Sequence, residues 1–426
     1  MFVLKHILAL ACILTFVAYF FLSKSPGKAY LAFTLVFFPF MDLNLTPEEY
    51  GAVSVFDFIS WFTLFFLLNR ILVFEKTVLW LMLVLMSGLL FVGSLLSEFI
   101  QNSLIYFFKF FSVFILAKTL IDQCTEDPHY ISTILKFLKM GAIVSLIFLV
   151  FQILFGVNFT LYSEIHPNIN IDVTRYPSFF QDPQKYGQYL SMISFLFLLN
   201  DGKSNIPDKT SLFIFILVVL ALLSAGSRAA FLGICTGMLV IILFMKSKLR
   251  FVNAILCISV YLVVINFSDS LSLFNRMEDN YESFNTRLNI WKENLEIFND
   301  NPILGIGIGN HHNYILEHSS AGYYLLNDNE RVFYGTESGY LQVLIEYGIF
   351  GFLIFMMFIL IPLIRGLKSF FSTGNFNIMI IISSILSWMV AWSTVNSLSD
   401  RRILIVAGTL ISLLVILPKN SKYLHA

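Results

Sequence analysis

The sequence predicts an all-helical protein whose single domain, residues 1–426, crosses a membrane about twelve times. The first observation behind this prediction is composition. Hydrophobic residues make up 58% of the chain and charged residues 13%, whereas soluble domains contain about 45–50% apolar and about 25% charged residues. The second observation is that the apolar residues form successive runs, separated by short polar connections.

Most of these runs approach the length of about 20 residues that a helix needs to cross a hydrocarbon core of about 30 Å. They cover residues 4–22, 29–41, 53–73, 77–96, 103–121, 138–156, 185–199, 211–226, 229–246, 251–267, 339–364, 376–395 and 402–417. The second and seventh runs are short, so we expect between about eleven and thirteen spans. No small-residue cleavage site follows the first run, which we interpret as a retained helix.

The orientation follows from the lysines, because short loops rich in Lys and Arg remain cytoplasmic. Such loops alternate regularly with the others and carry Lys24/Lys28, Arg70/Lys76, Lys136/Lys139, Lys203/Lys209, Lys246/Lys248/Arg250, Arg365/Lys368 and Lys419/Lys422. Two long loops, 156–184 and 268–338, then lie outside the cytoplasm. The net charge of zero gives no indication of a nucleic-acid partner.

The loop over 268–338 is the longest polar stretch of the chain. It is not of low complexity, because apolar residues recur in it at helical spacing, namely Leu288, Trp291, Leu295 and Phe298. This spacing predicts an amphipathic helix over 286–299 that ends before Asn301-Pro302. Its apolar stripe should rest on the membrane domain or on the lipid interface.

The outer face carries most of the arginines. Seven of the ten arginines lie there, namely Arg175, Arg228, Arg276, Arg287, Arg331, Arg401 and Arg402. A guanidinium can bind phosphate through two parallel hydrogen bonds, so one interpretation is an external phosphate or pyrophosphate site. The alternative is pairing with the acidic side chains of the same loops, and both readings stay open for each arginine.

Four polar segments stand at the outer ends of predicted spans. They are Arg175-Tyr-Pro-Ser-Phe-Phe-Gln-Asp-Pro-Gln-Lys-Tyr-Gly187, Ser227-Arg228-Ala-Ala, Arg287-x-x-x-Trp291 with Asn301-Pro-Ile-Leu-Gly-Ile-Gly-Ile-Gly309, and Glu337-Ser-Gly-Tyr-Leu-Gln-Val-Leu-Ile-Glu346-Tyr-Gly348. In this order they resemble the O-antigen polymerase and ligase superfamily of bacterial inner-membrane enzymes, over about residues 170–365. The resemblance implies a GT-C-like membrane glycosyltransferase whose active site faces the periplasm.

The resemblance also implies the substrates and the roles of residues. The donor and the acceptor are glycans linked to undecaprenyl pyrophosphate in the membrane, with a chain-length regulator and a flippase as further partners. Arg175, Arg228 and Arg287 match family arginines that hold the leaving pyrophosphate and offset its charge, and Glu337 stands where a general base is needed. Substrate binding is assigned to Arg175, Arg331, His311, His312 and Tyr340.

In ligases of this superfamily, the position that matches Glu337 looks like a histidine, in the pattern His-Asn-x-x-Leu. This chain has Glu337-Ser338 there instead. This departure favours a polymerase of repeat units over a ligase that transfers glycan to lipid A–core. A transporter or flippase of an anionic lipid or solute would place ionisable residues at mid-span, where Lys109 and Lys118 are the few candidates. The structural alternative for Glu337 is an ion pair with Arg331.

The glycines of the third segment, Gly305, Gly307 and Gly309, lack the strand–helix context of a dinucleotide fold. They favour a tight turn that lets the backbone approach the membrane surface over direct binding of phosphate. The histidines beside them, His311, His312 and His318, have no carboxylate at a convincing ligand spacing. We therefore expect neither a metal nor a cofactor.

Overall fold

The computed structural model describes residues 2–46, 52–71, 78–160, 175–199, 208–244, 255, 280–318, 323–326, 330–333 and 335–418. Its α-helices are α1 (Phe2–Leu22), α2 (Pro26–Val36), α3 (Val55–Phe66), α4 (Leu68–Ile71), α5 (Val78–Leu96), α6 (Ile100–Glu126), α7 (Tyr130–Phe155), α8 (Pro183–Ile193), α9 (Lys209–Ala225), α10 (Arg228–Phe244), α11 (Asn280–Asp300), α12 (His311–His318), α13 (Gly339–Thr373), α14 (Phe376–Trp392) and α15 (Arg401–Ile416). Short 3-10 helices follow α2 and α8, at Phe38–Phe40 and Ser194–Leu198.

The helices agree with the apolar runs of the sequence. Within the described residues, α1, α5, α6, α7 and α13 are long and apolar enough to cross a membrane, and α3, α9, α10 and α14 are shorter apolar helices. The predicted span over 251–267 lies outside the described residues, apart from the helical residue 255. The chain thus has the helical architecture of a polytopic membrane protein, and the total of about twelve spans stays a prediction.

The loop over 268–338 departs from the all-helical prediction in one detail. Two short antiparallel strands, β1 (Tyr323–Leu326) and β2 (Glu330–Phe333), pair with Tyr323 opposite Phe333. The helix predicted over 286–299 lies within α11, as expected. The predicted apolar stripe is correct only in part. Leu288, Trp291 and Phe298 are half-buried, but Leu295 is 45% exposed. The most buried face contains Ile290, Asn294 and Ile297.

The short run predicted as the seventh span is a buried element of the interior. From Tyr186 to Ile193 every residue of α8 is buried, and so is the following 3-10 helix. A helix buried on all sides need not match the thickness of the bilayer, since its neighbours rather than lipid surround it. This position is consistent with the short run over 185–199, which is only fifteen residues long.

Helices α10 and α14 pack closely because their interface contains small residues. A Cβ atom at Gly233 would collide with the carbonyl of Ser387, and one at Gly237 would collide with the ring of Phe195 and approach the carbonyl of Ser383 to 2.9 Å. Small residues permit this approach between membrane helices. The earlier glycine, Gly233, meets the later serine, Ser387, and Gly237 meets Ser383. Helices α10 and α14 are therefore antiparallel.

A buried ion network holds the start of α15. The guanidinium of Arg402 is fully buried and lies 2.7 Å from a carboxylate oxygen of Asp400 and 3.1 Å from one of Asp42. Arg401 Nε lies 3.2 Å from a carboxylate oxygen of Asp57. Of the two interpretations of the outer arginines, pairing with acidic side chains is therefore the one observed for Arg401 and Arg402.

Replacing Arg402 by Met should destabilise the protein strongly. The substitution leaves the buried carboxylate of Asp400 and the half-buried one of Asp42 without their cation, and loss of one partner of a buried pair costs about 3–5 kcal/mol. The control is Arg70→Met, because Arg70 lies 3.7 Å from Glu126 with both side chains more than half exposed and such pairs contribute about 0–1 kcal/mol. Thermal unfolding in detergent measures both, and equal midpoints for the two variants would contradict the assignment.

Candidate functional site

Glu337 stands immediately before α13 in a constrained backbone conformation. Its φ is +49°, in the left-handed region that residues other than glycine adopt rarely. The next residue, Ser338, caps α13 by accepting a hydrogen bond from the N–H of Leu341 at 3.4 Å. The buried Thr336 donates its hydroxyl to the carbonyl of Ser338 at 2.9 Å. The carboxylate is thus presented from a fixed turn.

The carboxylate of Glu337 pairs with Arg287 of α11. Arg287 Nη2 lies 3.3 Å from Glu337 Oε2, and the two side chains are 29% and 20% exposed. The structure therefore gives Glu337 a partner in Arg287, and the predicted alternative, an ion pair with Arg331, lies outside the described side chains. Two of the residues assigned to catalysis, fifty positions apart in the chain, meet at the N-terminal end of α13, which the predicted topology places outside the cytoplasm.

The turn at Glu337 rests on the outer end of α14. A Cβ atom at Gly339 would collide with the indole of Trp392, so only glycine allows this contact. The ring of Tyr340 packs edge-on against Trp392 with centroids 4.5 Å apart, and its hydroxyl donates to the carbonyl of Met389 at 2.9 Å. These contacts hold the Glu-Ser-Gly-Tyr motif against α14 and leave the Tyr340 hydroxyl engaged.

Arg228 and Arg175 approach the same end of the helix bundle. Arg228 begins α10, and the antiparallel pairing of Gly233 with Ser387 puts it at the level of Trp392. Arg175 Nε donates to the carbonyl of Ala225, at the end of α9, at 3.0 Å. Its side chain is 2% exposed, so this conformation gives Arg175 a structural contact, and its binding of phosphate stays a prediction.

The three glycines of the G-x-G-x-G segment form tight turns, as predicted, but they approach protein and not the membrane surface. Gly305, Gly307 and Gly309 have φ of +70°, +92° and +77°. A Cβ atom would meet the carbonyl of Ile345 at Gly305, Ser97 at Gly307 and the ring of Tyr106 at Gly309. The loop is thus wedged between α5, α6 and α13.

This glycine-rich loop, residues 301–310, occupies a break in α13 at Gly348. Gly348 has φ +65° and ψ −177°, so α13 is two helical segments on either side of it. The N–H of Ile349 donates to the carbonyl of Pro302 at 2.9 Å, and the N–H of Ile306 donates to the carbonyl of Ile345 at 3.0 Å. The loop therefore satisfies backbone groups that the break removes from the helix.

Polar side chains that carried no assignment hold the loop in place. Ser97 Oγ donates to the carbonyl of Ile306 at 2.8 Å, and Asn102 Nδ2 donates to that of Gly309 at 2.9 Å. The buried carboxylate of Glu346 accepts the N–H of Gly309 at 2.9 Å. Ser97 and Asn102 flank the start of α6, more than 200 residues earlier in the chain, and no local pattern marks such a contact.

The histidines that follow the loop separate into three environments. His311 is buried, its Nε2 lies 2.5 Å from Asn294 Oδ1, and burial together with the charge of His312 lowers its pKa to about 3. His312 is exposed. His318 Nε2 lies 2.7 Å from Glu98 Oε2. His311 is therefore neutral at pH 7 and joins α12 to α11.

Among the described residues, one group of side chains has the donor atoms for a metal ion. Glu98, Glu317 and His318 bring their ligand atoms within 4.8 Å of one another, and all three side chains are exposed. This group differs from the three histidines considered in the sequence. Exposed carboxylates meet a histidine in this way without any ion, so the expectation about metals is unchanged.

A cavity of about 1070 Å³ lies between α5, α6, α13 and α15. His312, Gly335 and Asn396 line its outer end, and Gly335 precedes Glu337 by two residues. The lining of the cavity therefore comes within two residues of Glu337, although neither Glu337 nor Arg287 is part of it.

The two mid-span lysines also line this cavity. Lys109 and Lys118 are 5% and 6% exposed. Lys118 forms an ion pair with Asp122 at 2.7 Å, and the ammonium of Lys109 lies 4.4 Å from the centre of the Tyr106 ring. Both charges are stabilised within the protein, as buried cations must be.

Residues 213–356 match the family model described as O-antigen ligase. The match supports a relationship of this segment to the O-antigen ligase-like superfamily. The matched segment is about a third of the chain and contains Arg228, Arg287, the glycine-rich loop and Glu337, whereas Arg175 precedes it. A search of curated proteins finds no match.

Members of this family are enzymes of the membrane glycosyltransferase type that act on lipid-linked glycans. The match agrees with the resemblance derived from the four sequence motifs. The family includes both ligases and polymerases, so the match alone does not separate the two activities.

Replacing Gly305 by Ala should destabilise the O-antigen ligase-like domain. The left-handed backbone costs about 1–2 kcal/mol for an L-residue, and the new Cβ would collide with backbone atoms, which cannot rotate away. The control is Gly88→Ala in α5, where no atom lies within 4 Å of the added Cβ and alanine should be neutral or stabilising by about 0.5–1 kcal/mol. If thermal midpoints in detergent are the same for both variants, the loop is not wedged as described.

Proposed function

We propose that the chain is a polymerase of lipid-linked oligosaccharide repeat units in the inner membrane of a bacterium, with its active site facing the periplasm. The observation that supports this most directly is the Glu337–Arg287 pair, 3.3 Å apart, whose carboxylate stands two residues after Gly335 of the cavity lining. It combines a carboxylate that can accept a proton with a guanidinium that can bind phosphate. The pair lies within the segment that matches the O-antigen ligase family.

The reaction forms a glycosidic bond and releases the carrier lipid. A hydroxyl of the acceptor's terminal sugar attacks the anomeric carbon of the donor, the bond from that carbon to the pyrophosphate oxygen breaks, and the pyrophosphate leaves with the electron pair. Glu337 receives the hydroxyl proton. A single displacement of this kind inverts the configuration at the anomeric carbon.

Arg287 and Arg228 would stabilise the leaving pyrophosphate. Arg287 is 29% exposed, so a lipid pyrophosphate at the cavity mouth can reach it. If the guanidinium of Arg287 moved from the carboxylate to the phosphate, Glu337 would be free to accept the proton at the moment when the leaving group needs a cation. Arg228 lies at the level of Trp392 and would bind the same group from the α10 side.

The outer half of the cavity would hold the hydrocarbon chain of the donor. The lining at the outer end comes within two residues of Glu337. A carrier lipid whose chain lies in this half would therefore bring its pyrophosphate near Glu337. His312 is exposed at this end and would contact the glycan or the pyrophosphate. A chain-length regulator and a flippase would act with the polymerase as separate proteins.

Two other functions have an observation in their favour. The family description is that of a ligase, which would pass the donor glycan to lipid A–core. The buried lysines of the cavity, Lys109 and Lys118, are what a transporter of an anionic lipid or solute would contain. We favour the polymerase because Glu337 replaces the histidine of the ligase pattern and because the arginines gather at one face.

Replacing Glu337 by Gln should abolish polymerisation while the protein accumulates normally, because the amide retains the size of the side chain and cannot accept the proton. Single repeat units should still reach the cell surface, where the profile of surface glycan on gels shows them. The control is Glu296→Gln, an exposed carboxylate of the neighbouring helix α11, which should leave the profile unchanged.

Lipid-linked intermediates extracted from the same cells distinguish the alternatives. A ligase defect would leave long polymers on undecaprenyl pyrophosphate and none on lipid A–core. A transporter defect would trap unpolymerised lipid-linked units on the cytoplasmic face. Normal long-chain glycan in the Glu337→Gln strain would remove Glu337 from the mechanism and leave it a structural partner of Arg287.

A further inference from the structure

The cavity beside α13 is longer than one leaflet of a bilayer. Its lining on α13 begins at Gln342 and continues to Thr373, a helical rise of roughly 45 Å. A whole bilayer with its headgroups measures about 40–45 Å, and each leaflet contributes about half of the 30 Å core. The two halves of the cavity can therefore hold different molecules.

The walls of the cavity suit hydrocarbon chains. Between its two ends the lining is mainly aromatic and aliphatic, with Phe114 of α6, Phe358 of α13 and Ile411 of α15 among its residues. Apolar walls of this kind are in contact with either water or lipid chains. Lipid chains are favoured because they remove the apolar surface from water.

The two ends of the cavity differ in charge. At the outer end, Arg401 already pairs with Asp57 at 3.2 Å, and Glu346 adds a buried carboxylate. At the other end, which we call the basic end, α13 presents the exposed cations Arg365 and Lys368. Within the part of the chain that the structure describes, no carboxylate forms an ion pair with either of them.

Other side chains near the basic end change its net charge little. Lys118 reaches the cavity but is neutralised by Asp122 at 2.7 Å. Ser372 and Thr373 add hydroxyl groups to the lining and carry no charge. Two exposed cations beside an apolar cavity therefore remain at the end of α13.

We propose that the basic end of the cavity is a binding site for an anionic glycerophospholipid of the cytoplasmic leaflet. The headgroup phosphate would contact Arg365 and Lys368, and the acyl chains would fill the adjacent half of the cavity. The lysine-bearing loops place this end in the cytoplasm, and basic pockets between membrane helices on that side bind acidic headgroups. A carrier lipid would bring its pyrophosphate to the opposite end, beside Glu337.

Tryptophan fluorescence can measure this binding, because Trp80 lines the cavity at the start of α5, the end of that helix away from the glycine-rich loop. The full-length protein is reconstituted in nanodiscs of phosphatidylcholine with a minority of phosphatidylglycerol, and brominated chains are placed on either lipid at the same mole fraction. Bromine quenches a tryptophan only in contact. The anionic lipid should be preferred on the order of tenfold, since each basic side chain contributes several-fold at a membrane surface.

The variant R365Q/K368Q should quench equally with both lipids, and S372E, which adds a carboxylate at an exposed residue of the same end, should weaken the preference. The control K24Q/K136Q removes two exposed lysines of the cytoplasmic face that do not line the cavity and should keep the wild-type preference. Equal quenching in the wild type would overturn the proposal, and so would a preference that survives R365Q/K368Q. Displacement of the brominated lipid by undecaprenyl phosphate from wild type and R365Q/K368Q alike would show a single carrier-lipid site and would also overturn it.

Discussion

The insertion of the glycine-rich loop into the break of α13 is the constraint on which the outer part of the structure depends. A helix that breaks inside a membrane protein exposes backbone N–H and C=O groups, and each group left unsatisfied away from water costs several kcal/mol. Here the loop supplies the partners, through Pro302 and Ile306. The break and the loop therefore depend on each other, because the backbone groups of each hydrogen-bond to those of the other.

Several features of the candidate site follow from that insertion. The loop joins α11 to α12, so fixing the loop also fixes Arg287 on α11 and the buried Asn294–His311 contact. The first segment of α13, before Gly348, is free to take its own direction and carries Glu337 to the outer end of α14. The inserted loop thus orients both of the elements that carry the Arg287–Glu337 pair. The same segment contributes Gln342 and Glu346 to the lining of the cavity.

The sequence predicts the helical framework well, because each span is a local property of about twenty residues. It also predicts α11 and the motifs that carry Arg228, Arg287 and Glu337. The face of α11 that is buried could not be predicted, since a polar residue, Asn294, lies at its centre and only its distant partner His311 explains this. Local hydrophobic periodicity cannot detect a buried polar contact.

The partners of the arginines were equally beyond local reasoning. Arg401 and Arg402 pair with carboxylates of Asp57 and Asp42, more than 340 residues away in the chain. Ser97 and Asn102 clamp a loop more than 200 residues later. Which charges are neutralised by the protein and which remain available for a phosphate is decided by such contacts, and composition and spacing carry no record of them.

The most direct test of this account is a disulfide cross-link between the loop and the start of α6. Asn310 Nδ2 lies 2.5 Å from Ser97 Oγ, so cysteines at positions 97 and 310, in a variant whose native cysteines are replaced, should bridge on mild oxidation in membranes. A cysteine at Asp300, exposed at the end of α11, should not bridge to position 97. Efficient bridging of the 97–310 pair, with polymerisation retained, is the predicted result. Failure of that pair to bridge under conditions that oxidise other close pairs would contradict the insertion of the loop.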